Sequence, residues 1–163
     1  MTSSLRARLE SKRRRRVVFP VQITDPSASL DALAAARRRL TLLEFTDRPE
    51  DDDELAAARD AVDEAQAAHD EHYAHVEFQS IPSADLEALM AAHRKPDNPE
   101  ETDYEAIAAP LAAASAVDED LRDEAWWAEQ LARVEWTLGE KGKLASALID
   151  INYRAPDPTV PKD

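Results

Sequence analysis

The sequence has no cysteine and only two glycines in 163 residues. Without cysteine there is no disulfide, no thiolate metal ligand and no cysteine nucleophile, so an intracellular setting is the default expectation. Two glycines cannot build a P-loop or a dinucleotide fingerprint, which excludes nucleotide chemistry by those routes. No apolar run approaches the roughly 20 residues of a membrane span, and no hydrophobic segment follows the basic N-terminus. The sequence therefore predicts neither membrane insertion nor secretion.

Large apolar side chains are also scarce. Leu, Ile, Val and Phe together supply 32 residues, whereas Ala alone supplies 31. Few large apolar residues combined with a net charge of -14 are typical of disordered chains. Ala reverses that expectation, because it is the best helix former and loses no side-chain entropy on folding. We therefore expect a mostly helical, soluble protein with a thin core and modest stability.

The charge is unevenly distributed. Residues 1–16 carry seven basic residues against one acid, so this basic arm has a charge of +6 and the rest of the chain sums to -20. Its densest part is Arg13, Arg14, Arg15 and Arg16. Phosphate neutralisation by these arginines is one interpretation. A solvated or self-docked arm is favoured over it, because no aromatic residues are interleaved and the acidic remainder repels a polyanion.

Two short strands are predicted at 17–23 and 74–81 from β-branched and alternating apolar residues. Between them, apolar residues recur at three and four positions from Leu30 to Leu43 and from Leu55 to His72, the second as a heptad seam. A break at 47–49 and the acidic run Glu50–Glu54 separate the two repeats. The pattern predicts an antiparallel helical hairpin, 27–72, inserted between two paired strands.

The remainder of the chain reads as helical. Ser27 or Ser29 is expected to cap the first helix of the hairpin and Ser83 the helix that follows 82, and Pro110 is expected to break or kink a helix over 104–117. A helix continuing to Leu138 is expected to end at Gly139, with the last helix after Gly142. The predicted fold class is mainly α: a helical body with a small two-stranded β element and an inserted antiparallel helical hairpin. The predicted segments are a basic arm (1–16), a strand–hairpin–strand unit (17–81), a helical body (82–155) and an extended tail (156–163).

Candidate chemical sites are weak. His69, His72 and His75 are three residues apart, whereas a zincin motif needs histidines four apart, so a metalloprotease is excluded. A looser site with His69, His72 and an acid stands against the simpler reading of polar residues at the end of a coiled coil. The acidic runs 50–54 and 118–124 lack the central glycine of an EF-hand, and solvation of helix N-termini explains them more simply. No nucleophile elbow is present, so we expect no catalytic, cofactor or metal residues.

The tryptophans are the most distinctive residues. Trp126 and Trp136 lie within about 80° of one helix face if one helix holds both, and Trp127 is rotated by roughly 100° from Trp126. Core filling is one interpretation and a partner anchor is the other, with Trp127 the better anchor candidate. The candidate partner-binding residues are Trp126, Trp127, Leu131, Trp136, Leu86 and Leu89.

The order of elements from about 74 to 153 resembles the tail assembly chaperones of long-tailed, siphovirus-like phages of high-GC actinobacteria. A short strand, 76–81, leads into an L-x-x-L-x-x-x-H helix formed by Leu86, Leu89 and His93. A segment with an aromatic and small residues, 104–115, ends at Ser115, and the last helix ends with Ile151 and Asn152. The hairpin 27–72 and the arginine-rich arm depart from that pattern.

The resemblance implies a protein without enzymatic activity, which keeps the tape measure protein soluble and helps to recruit tail tube subunits. It also implies action in the host cytoplasm and absence from the mature virion. The alternative is a structural virion component, such as a head-tail connector or tail-terminator-like protein, in which the hairpin makes ring contacts within a homo-oligomer. A third hypothesis is a polyanion-binding regulator that uses residues 13–16. A membrane partner is not expected.

Overall fold

The computed structural model describes residues 4–46, 49 and 52–155. In this part of the chain, seven α-helices and a short 3-10 helix accompany one two-stranded antiparallel sheet, which confirms the predicted fold class. The elements are α1 (Leu5–Glu10), β1 (Arg16–Gln22), α2 (Ser27–Glu44), α3 (Asp53–Asp70), β2 (Tyr73–Gln79), α4 (Ser83–Ala92), α5 (Ala108–Ser115), the 3-10 helix (Glu119–Leu121), α6 (Glu124–Ala132) and α7 (Leu138–Tyr153).

The chain forms two compact units. One contains the described residues up to Phe19 and from Val76 onward, and the other contains Pro20–His75. These limits differ from the four predicted segments, 1–16, 17–81, 82–155 and 156–163, because each strand of the sheet is shared between the units. The predicted tail 156–163 lies outside the described residues.

The second unit is the helical hairpin of α2 and α3. Leu33, Leu55 and Ala58 are buried in it, in register with the apolar spacing of both helices. Ser29 and His69 form a hydrogen bond of 3.0 Å between Oγ and Nδ1, and Arg37 donates to Gln66 at 2.7 Å. The predicted break at 47–49 and the acidic run from Glu50 fall largely outside the described residues. Within them, the Asp52 side chain caps α3 by accepting from two backbone N–H groups.

The first unit is built around α5. Seven of its eight residues are buried, because an alanine-rich helix is thin enough to be surrounded by its neighbours. Its Leu111 belongs to the core cluster that also contains Phe78, Trp127, Leu144 and Leu148. The chain pairs with β2 just after α5, through a bridge between Phe78 and Ala116. The core of this unit therefore lies where α5, α6, α7 and β2 converge.

Several local predictions in this unit are wrong. The helix predicted over 104–117 is shorter, because α5 begins at Ala108 and residues 104–107 form a turn. Pro110 is the third residue of α5, where its missing N–H has no intrahelical partner. Gly139 and Gly142 both lie inside α7 and have no positive φ. The helix that carries the tryptophans ends at Ala132, so Trp136 lies outside it.

The expected serine caps are also wrong. Ser27 and Ser83 are the first residues of α2 and α4, and neither helix has a side-chain cap hydrogen bond. Instead, the Asp25 carboxylate accepts from the backbone N–H and the hydroxyl of Ser27, which lowers the pKa of Asp25 below its ordinary value. The acid two residues before α2 thus organises the chain at this point.

Thr137 starts α7 with a capping box, in which its Oγ1 accepts from the Glu140 N–H at 3.2 Å. The Glu140 carboxylate accepts in turn from the Thr137 hydroxyl and backbone N–H, at 2.7 and 2.8 Å. These hydrogen bonds lower the pKa of Glu140. A carboxyl whose pKa is lowered by folding stabilises the fold above its ordinary pKa, and that contribution is lost as the pH falls through the folded value.

We expect Thr137→Ala to lower the free energy of unfolding by about 1 kcal/mol at pH 7. At a pH low enough to protonate Glu140 in the folded protein, the loss should be smaller, because the capping box of the unmutated protein is then already weakened. Urea unfolding at both pH values measures the difference. Ser146→Ala is the control in the same helix, since Ser146 is exposed and lies away from the capped first turn. Equal losses at the two pH values would contradict the role of the Glu140 carboxylate.

Candidate functional site: an apolar groove

An open groove of about 740 Å³ lies on the surface of the first unit. It is walled by α6 and α7 and floored by the start of α5 with the residues before it. Its lining residues are Tyr104, Glu105, Ala106, Ala108, Ala109, Ala128, Leu131, Ala132, Leu138, Lys141, Gly142, Ala145, Ser146 and Ile149. The volume is within the range of ordinary ligand sites, about 300–1,000 Å³.

The lining is apolar and mostly small. Six alanines, a glycine and a serine line the groove, so little side-chain volume stands between a ligand and the helix backbones. Leu138 is 82% exposed, although it lies at the first position of α7. Glu105 and Lys141 are the charged lining residues, and neither makes an ion pair within the described chain. The groove therefore suits a ligand with large apolar side chains and few charges on its contact face.

Trp127 holds α6 in the position that forms one wall. Its ring is 1% exposed and packs against Phe78 with 5.9 Å between ring centroids. Its Nε1–H donates to the Leu121 carbonyl at 2.8 Å, which satisfies the one polar group of the buried indole. Because this face of α6 faces the core, Ala128, Leu131 and Ala132 are left to line the groove.

The structure separates the predicted partner-binding residues. Leu131 lines the groove, but Trp127 is a core residue, which contradicts its assignment as the better anchor. Trp126 is the exposed ring of the pair, at 39%, and stacks edge-on against Trp127 without lining the groove. Trp136 and Leu89 are half-buried against the core, and Leu86 belongs to it. The large aromatic and leucine side chains therefore mainly fill an otherwise alanine-rich interior.

The motif residues of the resemblance are structural. Asn152 accepts from the Ile81 N–H at 2.7 Å and donates to the Ser115 hydroxyl at 3.3 Å, so it links α7 to α5 and to the end of β2. The His93 ring lies 2.9 Å from the Leu89 carbonyl, at the end of α4. These residues position the helices and do not line the groove.

The basic arm is partly tied to the unit. Arg15 donates to the carbonyls of Asp150 and Arg154 at the end of α7, and Arg16 pairs with Glu77 at 3.0 Å. Cations are favourable at a helix C-terminus, so Arg15 acts as a C-cap. Arg13 and Arg14 are exposed, and no acid of the described chain pairs with them.

The predicted histidine and acidic clusters are used locally. His69 and His72 form hydrogen bonds with Ser29 and Thr24, the latter of 2.6 Å. Asp118 and Asp123 cap the 3-10 helix and α6. No group of three or more His, Asp or Glu side chains within the described residues is placed to hold a metal ion.

Sequence reasoning missed most of the groove. On α7, Leu138, Gly142, Ala145 and Ile149 form a stripe beside the buried stripe of Leu144, Leu148 and Ile151. The signal was present, because the two sets have the same three- and four-residue spacing. This second stripe was not recognised, since alanine and glycine contribute almost nothing to an apolar sequence pattern.

We compared the chain with models of protein families, with curated proteins and with solved structures, and none of the three comparisons finds a match. Among the helices of the described residues, none has both the length and the apolar character needed to cross a bilayer.

Proposed function

We propose that this protein is a non-enzymatic tail assembly chaperone, which binds the tape measure protein of a phage tail through the apolar groove and keeps it soluble. The observation that carries the proposal is the open groove of about 740 Å³, lined mostly by alanine and leucine. A long helical client exposes apolar stripes before assembly, and an unfilled apolar groove on an acidic protein covers such a stripe without promoting aggregation.

The groove has the dimensions of a short helix segment. Its lining on α7 runs from Leu138 to Ile149, and eleven residues of helical rise span about 16 Å. That length matches about three turns of a bound helix, which presents anchors at positions i, i+3, i+4 and i+7. Small side chains in the wall let large client side chains approach the backbone of α6 and α7.

The resemblance to tail assembly chaperones supports the choice of client. The residues that carry it, including Ser115 and Asn152, contact each other and hold the helices that form the groove. Under this proposal the protein acts in the host cytoplasm, helps to recruit tail tube subunits and is absent from the mature virion.

Co-expression with the tape measure gene of the same genome tests the proposal. The client should move from the insoluble to the soluble fraction and should co-purify with the chaperone, because its apolar helix faces are then covered. An unchanged insoluble fraction would sink the idea. A maltose-binding fusion of the client serves as the control that it is expressed at all.

A structural virion component is the second candidate, and exposed apolar residues of the hairpin favour it. Leu30, Leu42 and Phe45 are large and exposed along and just after α2, as expected of a surface that contacts another copy in a ring. Mass spectrometry of purified particles discriminates the two, since only the structural component is present in every particle.

A further inference from the structure

The N-terminal helix α1 has an apolar face without a partner. Leu5 and Leu9 are four residues apart, so they lie on one side of the helix, and they are 70% and 65% exposed. Ser4 caps the helix, and Arg6 pairs with Glu10 at 2.8 Å, so α1 has its own local stabilisation. A short basic helix that exposes two leucines on one face has the amphipathic character of a helix that binds in an apolar groove.

The same chain has an apolar groove that could bind such a helix, and the chain segment that follows α1 is fixed beside one end of that groove. Arg15 fixes the base of the arm to the Asp150 carbonyl, one residue beyond the groove-lining Ile149. No residue of α1 lines the groove of its own chain. In a twofold dimer whose copies meet near this end of α7, each arm would leave its own body beside the groove of the other copy.

The charges favour an exchange between copies. The arm carries +6 and the rest of the chain -20, so two bodies repel each other while an arm is attracted to the other body. Arg6 and Arg8 flank the leucines of α1, and Glu105 lines the groove without an ion pair in the described chain. The apolar face of α1 thus matches the apolar lining of the groove. Because Glu105 and Lys141 in the lining cancel, the attraction of the basic arm comes from the acidic remainder of the other copy.

The size of α1 also fits. Its six residues are about 9 Å long, within the roughly 16 Å of groove between Leu138 and Ile149. We propose that α1 of one copy docks in the groove of a second copy, with Leu5 and Leu9 inserted between α6 and α7, and that the exchange is reciprocal. The exchange of α1 extends the proposed function. It rests on that function in one respect, because a client that binds in the groove has to displace α1.

The absence of cysteine makes a direct test possible. Leu9→Cys is placed in one tagged copy and Ala145→Cys in a second copy with a different tag, and the mixture is mildly oxidised. We expect a disulfide-linked heterodimer. The control pair replaces Ala145→Cys with Ala88→Cys, on an exposed position of α4 away from the groove, and should give no such product.

Two results would overturn the proposal. One is the lack of a heterodimer above the control level. The other concerns a chain that carries both Leu9→Cys and Ala145→Cys. A disulfide within that chain, in place of one between copies, would show that α1 folds back on its own groove.

Sedimentation over a range of concentrations provides an independent readout with intact cysteine-free chains. The dimer dissociation constant should rise by at least roughly thirtyfold in Leu5→Asp/Leu9→Asp, since four leucines, two on each arm of the reciprocal dimer, lose their apolar contacts. Ala7→Asp, also exposed on α1 but between the leucines in sequence, should change it much less. Equal effects of the two variants would count against docking through the leucine face.

The client assay separates this inference from the proposed function. If the heterodimer does not form and the client is still held soluble, the exchange is wrong and the chaperone proposal stands. If the heterodimer forms and the client stays insoluble, the exchange of α1 stands and the chaperone proposal is wrong. If both are right, Leu5→Asp/Leu9→Asp should bind the client more tightly than the unmutated chain, because no arm competes for the groove.

Discussion

If the groove binds the client as proposed, Ala128→Glu should strongly reduce the amount of client that the protein keeps soluble. Ala128 is exposed in the free protein but lines the groove, so the variant carboxylate is solvated until a client helix covers it. Burial of an unpaired charge then costs at least about 2 kcal/mol, which weakens client binding by roughly thirtyfold or more. The measurement is the fraction of client that is soluble and co-purifies after co-expression.

Ala88→Glu is the matched control for this variant. It makes the same substitution at an exposed position of α4 that does not line the groove. Both variants should unfold within about 0.5 kcal/mol of the unmutated protein, as expected for surface substitutions. If Ala128→Glu and Ala88→Glu hold the client equally well, the groove is not the binding site.

Trp127→Ala should lower the free energy of unfolding by about 3–5 kcal/mol. The indole is fully buried between α6 and β2, so its removal leaves a cavity beside Phe78 and orphans the Leu121 carbonyl. Small domains are stable by only about 5–15 kcal/mol, so the variant loses much of its stability. Urea unfolding followed by circular dichroism measures the change.

Trp126→Ala tests whether the adjacent ring plays the same part. Trp126 is 39% exposed and contacts Trp127 edge-on, at 5.0 Å between centroids. The loss should be about 1 kcal/mol, in the range of one aromatic pair. Similar losses for the two variants would contradict the assignment of Trp127 alone to the core. Loss of client binding in Trp126→Ala, with stability retained, would add this ring to the partner surface.

The hairpin shows what apolar spacing can predict. Leu33, Leu55 and Ala58 occupy the buried positions that the three- and four-residue repeats indicate, and α2 and α3 lie within a few residues of their predicted limits. Two long amphipathic helices joined by a short loop have essentially one way to bury their stripes, so local pattern suffices.

The cap predictions show where local pattern fails. The serines expected to cap α2 and α4 do not do so, whereas aspartate caps α3 and α6 and threonine caps α7. Asp25 organises the chain before α2. The acidic runs, which were interpreted as solvated helix N-termini, contain the residues that cap helices: Asp52, Asp118 and Asp123. Several residues in each run have the right chemistry, and only the backbone geometry selects one of them.

The scarcity of cysteine, glycine and large apolar residues determined the class of this protein, because the composition leaves alanine-rich helices as the main way to fold. The apolar spacing determined the hairpin and the small sheet. The tertiary structure decided which tryptophan is buried, where Pro110 falls in α5 and that small residues of α6 and α7 form a groove. Glycine has no side chain and alanine only a methyl group, so these residues do not mark an apolar surface in the sequence, and the groove can be recognised only once the helices around it are placed.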